Sequence, residues 1–172
     1  MHILNLPILY LPYLAHPDWS VRRRSGFLAP SFVVNSDLGL TAFIPYYQVI
    51  DDTRDIEFTP YRYQHRGNAL KTRYRQYWDN SELNAAIYTA SVETYKKNRE
   101  LVAAVDANYA ARIGNGWNVN MRLNRASQDT FMRRYKFDSS TSLKSEVVAE
   151  KLDTERYYRC LLYTSPSPRD IS

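Results

Sequence analysis

Apolar and polar side chains alternate with a period of two along most of this chain, as in a β-strand whose two faces meet different surroundings. The alternation is clearest at residues 100–112 and 117–124. The turn Gly114-Asn115-Gly116 between these segments favours a tight hairpin, because a type I′ turn needs positive φ at both central positions. The polar residues of this predicted hairpin are Asp106, Asn108, Arg112, Asn118, Asn120 and Arg122.

Further segments repeat the pattern, at residues 35–50, 55–64, 68–78, 83–92 and 143–149. Polar turns separate them, and a longer polar connection precedes the last. The pattern therefore predicts an all-β fold, an antiparallel meander of about seven strands. Strands of about ten residues are long enough to cross a bilayer at a tilt. Helix-forming residues at 81–108 make a helix there the alternative.

Such a set of strands is expected to be part of a larger structure. A bacterial single-chain membrane barrel has an even number of strands, and an open sheet edge in hydrocarbon leaves backbone groups unpaired. We therefore expect these strands to begin a larger barrel. Residues 1–15 are apolar, contain Pro7 and Pro12 and lack a signal-peptide pattern, which suits a buried strand of a preceding domain.

Composition narrows the class of protein only slightly. Tyrosine is frequent, at 15 residues, glycine is scarce, at 5, and the mean hydropathy is negative. These values suit transmembrane β-strands, and equally a soluble β-sandwich or a carbohydrate-binding sheet. The net charge of +5 comes from basic residues spread over alternating strand positions, which argues against a nucleic-acid partner.

The sequence contains no recognisable catalytic or metal-binding pattern. The three histidines are widely spaced, without the spacing of metal ligands. Asp51, Asp52 and Asp55 fall in a predicted turn, where aspartate commonly serves turn chemistry. We therefore expect a protein that is not an enzyme and that uses no metal ion or cofactor.

Two prolines, Pro45 and Pro60, fall inside segments that otherwise have strand character. Proline cannot donate to a strand ladder, so it belongs at an edge, at a strand start or bulge, or in a seam that is meant to be weak. The residues alone favour a strand end or a bulge.

Residues 22–32, RRRSGFLAPSF, together with Pro45 and Pro60 at their spacing, resemble the LptD family, the lipopolysaccharide-assembly proteins of Gram-negative outer membranes. The resemblance runs from about Pro7 to Tyr158. It implies a division of the chain into the end of a periplasmic β-jellyroll at 1–15, an interdomain connector at 16–34 and the first strands of a transmembrane β-barrel at 35–159.

The resemblance also implies a function. Lipopolysaccharide would arrive along a periplasmic bridge, LptA, and its saccharide would enter a polar barrel lumen that holds a plug lipoprotein, LptE. Its lipid would leave sideways into the outer membrane, through a seam weakened by Pro45 and Pro60. The polar residues of the predicted hairpin would line the lumen. The connector, which would meet phosphates or form a solvated charge run, contains Arg22, Arg23, Arg24, Ser25 and Gly26.

The last residues are interpreted separately. The run from Cys160 to Asp170 matches, codon for codon, the translation of a transposon-based sequencing-library adapter. We therefore expect residues 160–172, including the single cysteine, to be a non-native tail.

Two other functions stay open for the chain as a whole. A porin-like outer-membrane barrel would use the same alternation for diffusion, and a soluble β-sheet module would use it to bind carbohydrate.

Overall fold

The computed structural model describes residues 23–93, 99–128, 130–137, 144–153 and 156–164. They form one antiparallel sheet and one short helix, so the predicted all-β class is confirmed. The elements are β1 (Gly26–Phe27), β2 (Ser31–Asn35), β3 (Gly39–Phe43), β4 (Tyr46–Val49), β5 (Arg54–Tyr63), β6 (Gly67–Trp78), β7 (Ser81–Glu93), β8 (Arg99–Ile113), β9 (Trp117–Ala126), α1 (Phe131–Arg134), β10 (Ser145–Leu152) and β11 (Tyr157–Thr164).

From β5 to β11 each strand pairs with the next one in the chain, as the predicted meander requires. The turn between β8 and β9 has positive φ at Asn115 (65°) and Gly116 (80°), the conformation that its sequence favours. The alternative helix at 81–108 is wrong, because β7 and β8 account for that stretch except for residues 94–98, which lie outside the described residues.

The predicted strand at 35–50 is interrupted. Its two halves, β3 and β4, both pair with β5, through Phe43↔Tyr61 and Tyr46↔Phe58. The break falls at Pro45 and the residue before it. Proline has no backbone N–H and restricts the residue that precedes it, which accounts for a break at this position.

The sheet extends beyond the seven predicted strands. Within the segment expected to be a connector, β1 pairs with β4 and β2 pairs with β3. At the other side β11 pairs with β10 and includes Cys160 and the four residues after it. Residues 1–22 and 165–172 lie outside the described part of the chain, and with them the predicted jellyroll strand.

The connection after β9 was predicted as a polar loop, and this is wrong for its central part. It contains α1, and Phe131, Met132 and Tyr135 are buried against the sheet. The Tyr63 hydroxyl donates a hydrogen bond to the Tyr135 carbonyl oxygen at 3.3 Å. Among the described residues, no helix is long and apolar enough to cross a membrane, a finding that concerns helices alone.

Gly39 occupies a position that only glycine fits well. Its φ is +69°, and a Cβ there would lie 2.7 Å from Oε1 of Gln64 and 2.8 Å from its Cβ. That Oε1 accepts a hydrogen bond from the Leu40 amide at 2.9 Å, so the clash would disturb a formed contact.

We therefore expect Gly39→Ala to lower the free energy of unfolding by about 1–3 kcal/mol, from backbone strain and the displaced Gln64 side chain. Denaturant titration of the chain in detergent micelles measures the change. Gly26→Ala is the matched control, because a Cβ at Gly26 would meet nothing within 4 Å. Equal losses from the two substitutions would contradict the explanation.

Candidate functional site

The sheet has two chemically different faces, because successive side chains of a strand point to opposite sides. The polar face carries Asp55 of β5 and Arg75 of β6, and the apolar face carries Ile87 of β7 and Leu123 of β9. Asp55 is fully buried, whereas Ile87 is 51% exposed and Leu123 is 45% exposed. The usual arrangement, an apolar face in a core and a polar face in water, is reversed here.

The six polar residues predicted for the β8–β9 hairpin all lie on the polar face. The Asn108 amide donates to Oδ1 of Asp106 at 3.0 Å, and Nε of Arg122 donates to Oδ1 of Asn108 at 3.2 Å. Arg122 also reaches Glu146 of β10 at 3.5 Å. The remaining three are exposed: Arg112, Asn118 and Asn120. Their grouping on one face is found, and their role in a lumen stays a prediction.

Asp55 is the centre of the most buried ion cluster in the described residues. Nε of Arg75 donates to its Oδ1 at 2.7 Å, and the Arg23 guanidinium binds its other oxygen. Both guanidinium groups lie near the Tyr47 ring, with Arg23 at 5.9 Å and Arg75 at 5.7 Å from its centroid. The assignment of Asp55 to turn chemistry was therefore wrong, because its carboxylate instead joins three segments of the chain.

The same face of β6 carries a row of cations. Arg73 lies 3.9 Å from Glu57 of β5, next in line after the Arg75–Asp55 pair. Lys71 follows, with its ammonium 5.5 Å from the centroid of the Tyr88 ring. The alternation of basic residues in the sequence of β6 was the available signal for this row, but the carboxylates that would face it could not be identified without the register.

Pro45 and Pro60 lie at the same level of the sheet in neighbouring strands. The register of β3 and β4 on β5 places Ile44 and Pro45 opposite Pro60 and Thr59, and no pairing is formed over these positions. The ladder between β5 and β6 continues through Pro60, which pairs with Leu70. The interruption is therefore confined to one side of β5.

The strand on the far side of Pro45 is broken at this level too. Between β1 and β2, residues 28–30 face only Ile44 and Pro45, so that the edge bulges by one residue. The Leu28 amide donates to the Pro45 carbonyl oxygen at 2.8 Å. We call this line across three adjacent strands the proline level, defined by Pro30, Pro45 and Pro60.

Several of the predicted connector residues contact or belong to the sheet. Arg23 is bound to Asp55 and also donates to the carbonyl oxygen of Asp52 at 3.3 Å. The Ser25 hydroxyl accepts a hydrogen bond from the Val49 amide at 2.8 Å. Gly26 starts β1, Arg24 is exposed, and Arg22 lies outside the described residues.

An aromatic cluster, which the sequence did not reveal, covers one end of the polar face. Phe137, beyond α1, lies 5.2 Å from Tyr61 and 4.7 Å from Tyr88 between ring centroids. Tyr135 lies 5.3 Å from Tyr63. These contacts hold the connection after β9 against β5 and β7. The signal in the sequence was the apolar and aromatic run within an otherwise polar stretch.

At the opposite end, the turn between β4 and β5 is fixed by a carboxylate. Arg54 donates to Asp51 at 2.7 Å, and the Thr53 amide donates to Asp51 at 2.9 Å. The hydrogen bond from Arg54, and then the one from the Thr53 backbone, hold the pKa of Asp51 well below its usual range. Asp51 thus serves the turn chemistry predicted for it. The described residues contain no group of three or more His, Cys, Asp or Glu side chains that would suit a metal ion.

Comparison with known proteins gives one consistent family. The chain is 29% identical over 157 residues, 91% of its length, to the LPS-assembly protein LptD of Pseudoalteromonas translucida. It is 40% identical over 75 residues to the LptD of Shewanella frigidimarina, covering 44% of the chain, and 29% identical over 134 residues, 77% of the chain, to that of Alkalilimnicola ehrlichii. No protein-family model matches the chain.

The matched stretches cover 20%, 10% and 17% of these relatives, so the chain spans about a fifth of their length or less. The resemblance inferred from the sequence is confirmed: the chain is similar to LPS-assembly protein LptD over most of its own length.

The Asp55 cluster generates a stability prediction. We expect Asp55→Asn to lower the free energy of unfolding by about 2–3 kcal/mol, because it leaves two guanidinium groups without their shared carboxylate. This loss of stability is smaller than that expected for a fully buried pair, because both arginines are partly exposed. Denaturant titration in micelles measures it.

Glu146→Gln is the matched control, because it removes a more exposed partner of Arg122. We expect it to cost less than about 1 kcal/mol. A loss from Asp55→Asn no greater than that from Glu146→Gln would show that the cluster is not a stabilising centre.

Proposed function

We propose that this chain forms part of the wall of an outer-membrane β-barrel that inserts lipopolysaccharide into the outer leaflet. Its polar face would line the lumen and its apolar face would meet lipid. The observation that carries the proposal is the reversal of the two faces, with charges buried or half-buried on one and large apolar side chains exposed on the other. The similarity to LPS-assembly proteins supports lipopolysaccharide as the substrate.

The apolar face has the features expected of a lipid-facing surface. Its exposed apolar residues form a band across β6 to β9, and aromatic pairs lie near the tight turns. Trp78 packs against Tyr109 and Trp117 against Tyr158, each pair with centroids 6.4 Å apart. Girdles of aromatic residues at the membrane interface are typical of transmembrane barrels.

The polar face suits the passage of a hydrated saccharide. It presents amides, hydroxyl groups and paired charges, all of which exchange hydrogen bonds with sugar hydroxyl groups. The resemblance further implies LptE as a plug against this face and LptA as the bridge that delivers lipopolysaccharide, and we include both partners in the proposal. No covalent bond is made or broken in this process, so the proposed function is transport rather than catalysis.

Lateral release would occur near the proline level. Each missing ladder hydrogen bond removes about 0.5–1.5 kcal/mol of net strand pairing. Loss of pairing around Ile44 and Pro45 would let the first strands bend apart while the turns at both ends stay paired. The lipid portion would leave there, and the saccharide would follow.

We expect Leu123→Arg to lower the free energy of unfolding in lipid vesicles by about 2–4 kcal/mol, because a cation on the lipid face loses its hydration. Asn120→Arg, in the same strand on the polar face, should have little effect. Heat-modifiable migration in vesicles reports the folded fraction. In a soluble carbohydrate-binding sheet Leu123 would face water, so a harmless Leu123→Arg would contradict the membrane proposal.

We expect Pro45→Ala with Pro60→Ala to slow the appearance of lipopolysaccharide at the cell surface several-fold, because new N–H donors strengthen pairing at the proline level. Surface accessibility of newly made lipopolysaccharide is measured in cells that carry the full-length protein. Thr72→Ala is the control, since it alters neighbouring β6 without changing backbone donors.

Equal amounts of folded protein are verified for each variant. If lipopolysaccharide reaches the surface at the normal rate in the double variant, release at the proline level is rejected, but the transport function is not. A porin-like function would show no lipopolysaccharide transport in the unaltered protein.

A further inference from the structure

A cavity of about 250 Å³ opens on the polar face beside the proline level. The polar residues of its lining are Asn35 and Thr41, and the cationic ones are Lys71 and Lys136. Five aromatic residues also line the cavity: Phe43, Tyr61, Tyr63, Tyr135 and Phe137. We call this cavity the Lys71 pocket. Its combination of ring faces and cations is unlike the apolar groove expected for a fatty acyl chain.

Lys71 differs from its neighbours in the cation row of β6. Arg75 and Arg73 form ion pairs with Asp55 and Glu57, whereas Lys71 forms no ion pair within 4 Å among the described residues. The carboxylates of Glu57 and Asp106 act on its ammonium group from a longer distance. The Lys71 ammonium lies over the ring of Tyr88. A half-buried ammonium group carries three donors and loses part of its hydration. Because no carboxylate lies in direct contact with this one among the described residues, its donors can bind an anionic ligand.

Lys136, the other cation of the pocket, already forms an ion pair. Its ammonium lies 3.4 Å from Oδ2 of Asp37, in an exposed ion pair. Lys71 is therefore the group in the pocket wall that is placed to receive an anion, while the Tyr and Phe rings around it offer apolar faces.

We propose that the Lys71 pocket binds one phosphorylated sugar ring, with its phosphate on the Lys71 ammonium and its C–H face against an aromatic ring. Charge-assisted hydrogen bonds from an ammonium to phosphate are among the stronger polar contacts. The volume is below the roughly 300 Å³ at which drug-sized pockets begin, so it suits a single ring.

This inference rests on the proposed function and locates one step of it. A pocket beside the proline level would hold a phosphate-bearing sugar of lipopolysaccharide on the lumen side while the lipid portion passes the seam. The pocket would thus favour one orientation of the substrate at the site of release.

The test uses the full-length protein in detergent micelles, with purified lipopolysaccharide as the probe. A photo-crosslinking residue is placed at Val33, which lines the pocket and is 51% exposed, or at Asn120, which is on the polar face away from it. We expect Lys71→Met to reduce crosslinking at Val33 at least five-fold and to leave crosslinking at Asn120 unchanged. Dephosphorylated lipopolysaccharide should give the same loss at Val33 with the unaltered pocket.

Two further variants make the result specific. Lys151→Met removes a lysine from the apolar face and should change neither signal. Lys71→Arg keeps the charge and should retain most of the crosslinking at Val33. Unchanged crosslinking at Val33 in Lys71→Met would contradict the proposed binding. So would a loss of crosslinking in Lys71→Arg as large as that in Lys71→Met, measured with equal amounts of folded protein. Absence of crosslinking at both positions in the unaltered protein would instead reject the transport function.

Discussion

The buried carboxylate of Asp55 is the contact on which the polar face depends. It accepts hydrogen bonds from Arg23, ahead of β1, and from Arg75 of β6, so it joins three segments around one group. A slip of β5 by one residue would turn this carboxylate to the apolar face and leave both arginines unpaired. Electrostatics therefore help to fix the register at this end of the polar face, while the aromatic cluster packs on the other end.

The proline level lies between two well-held regions of β5. Asp55 is five residues from Pro60, about 17 Å along an extended strand. On the other side Tyr61 and Tyr63 pack against the aromatic residues around α1. Pairing is lost only between these anchors, where the prolines of neighbouring strands coincide. A sheet built this way is able to open locally without losing its register, because both ends of the strand remain attached.

The sequence was sufficient to predict where most strands lie, but not which distant residues contact one another. Period-two alternation identified β5 to β10, and the Asn115-Gly116 turn identified the β8–β9 hairpin. Alternation is a local property, so it could not show that Asp55 meets Arg23, which is 32 residues away. Neither could it show that α1 folds back onto Tyr63, 72 residues from Tyr135. Both contacts depend on long-range register, which short segments of one sequence do not specify.

Pairing of charges on the polar face has a consequence for passage of an anionic substrate. Arg73, Arg75 and Arg122 are each held by a carboxylate. Neutralised cations of this kind still donate hydrogen bonds, but they attract phosphate less strongly than free ones do, because the nearby carboxylate offsets the field. A wall lined by such pairs would let a phosphorylated saccharide move along it. Stronger retention would then be confined to a site such as Lys71, whose ammonium group is in no ion pair within 4 Å among the described residues. That site lies beside the proline level, where retention would direct release.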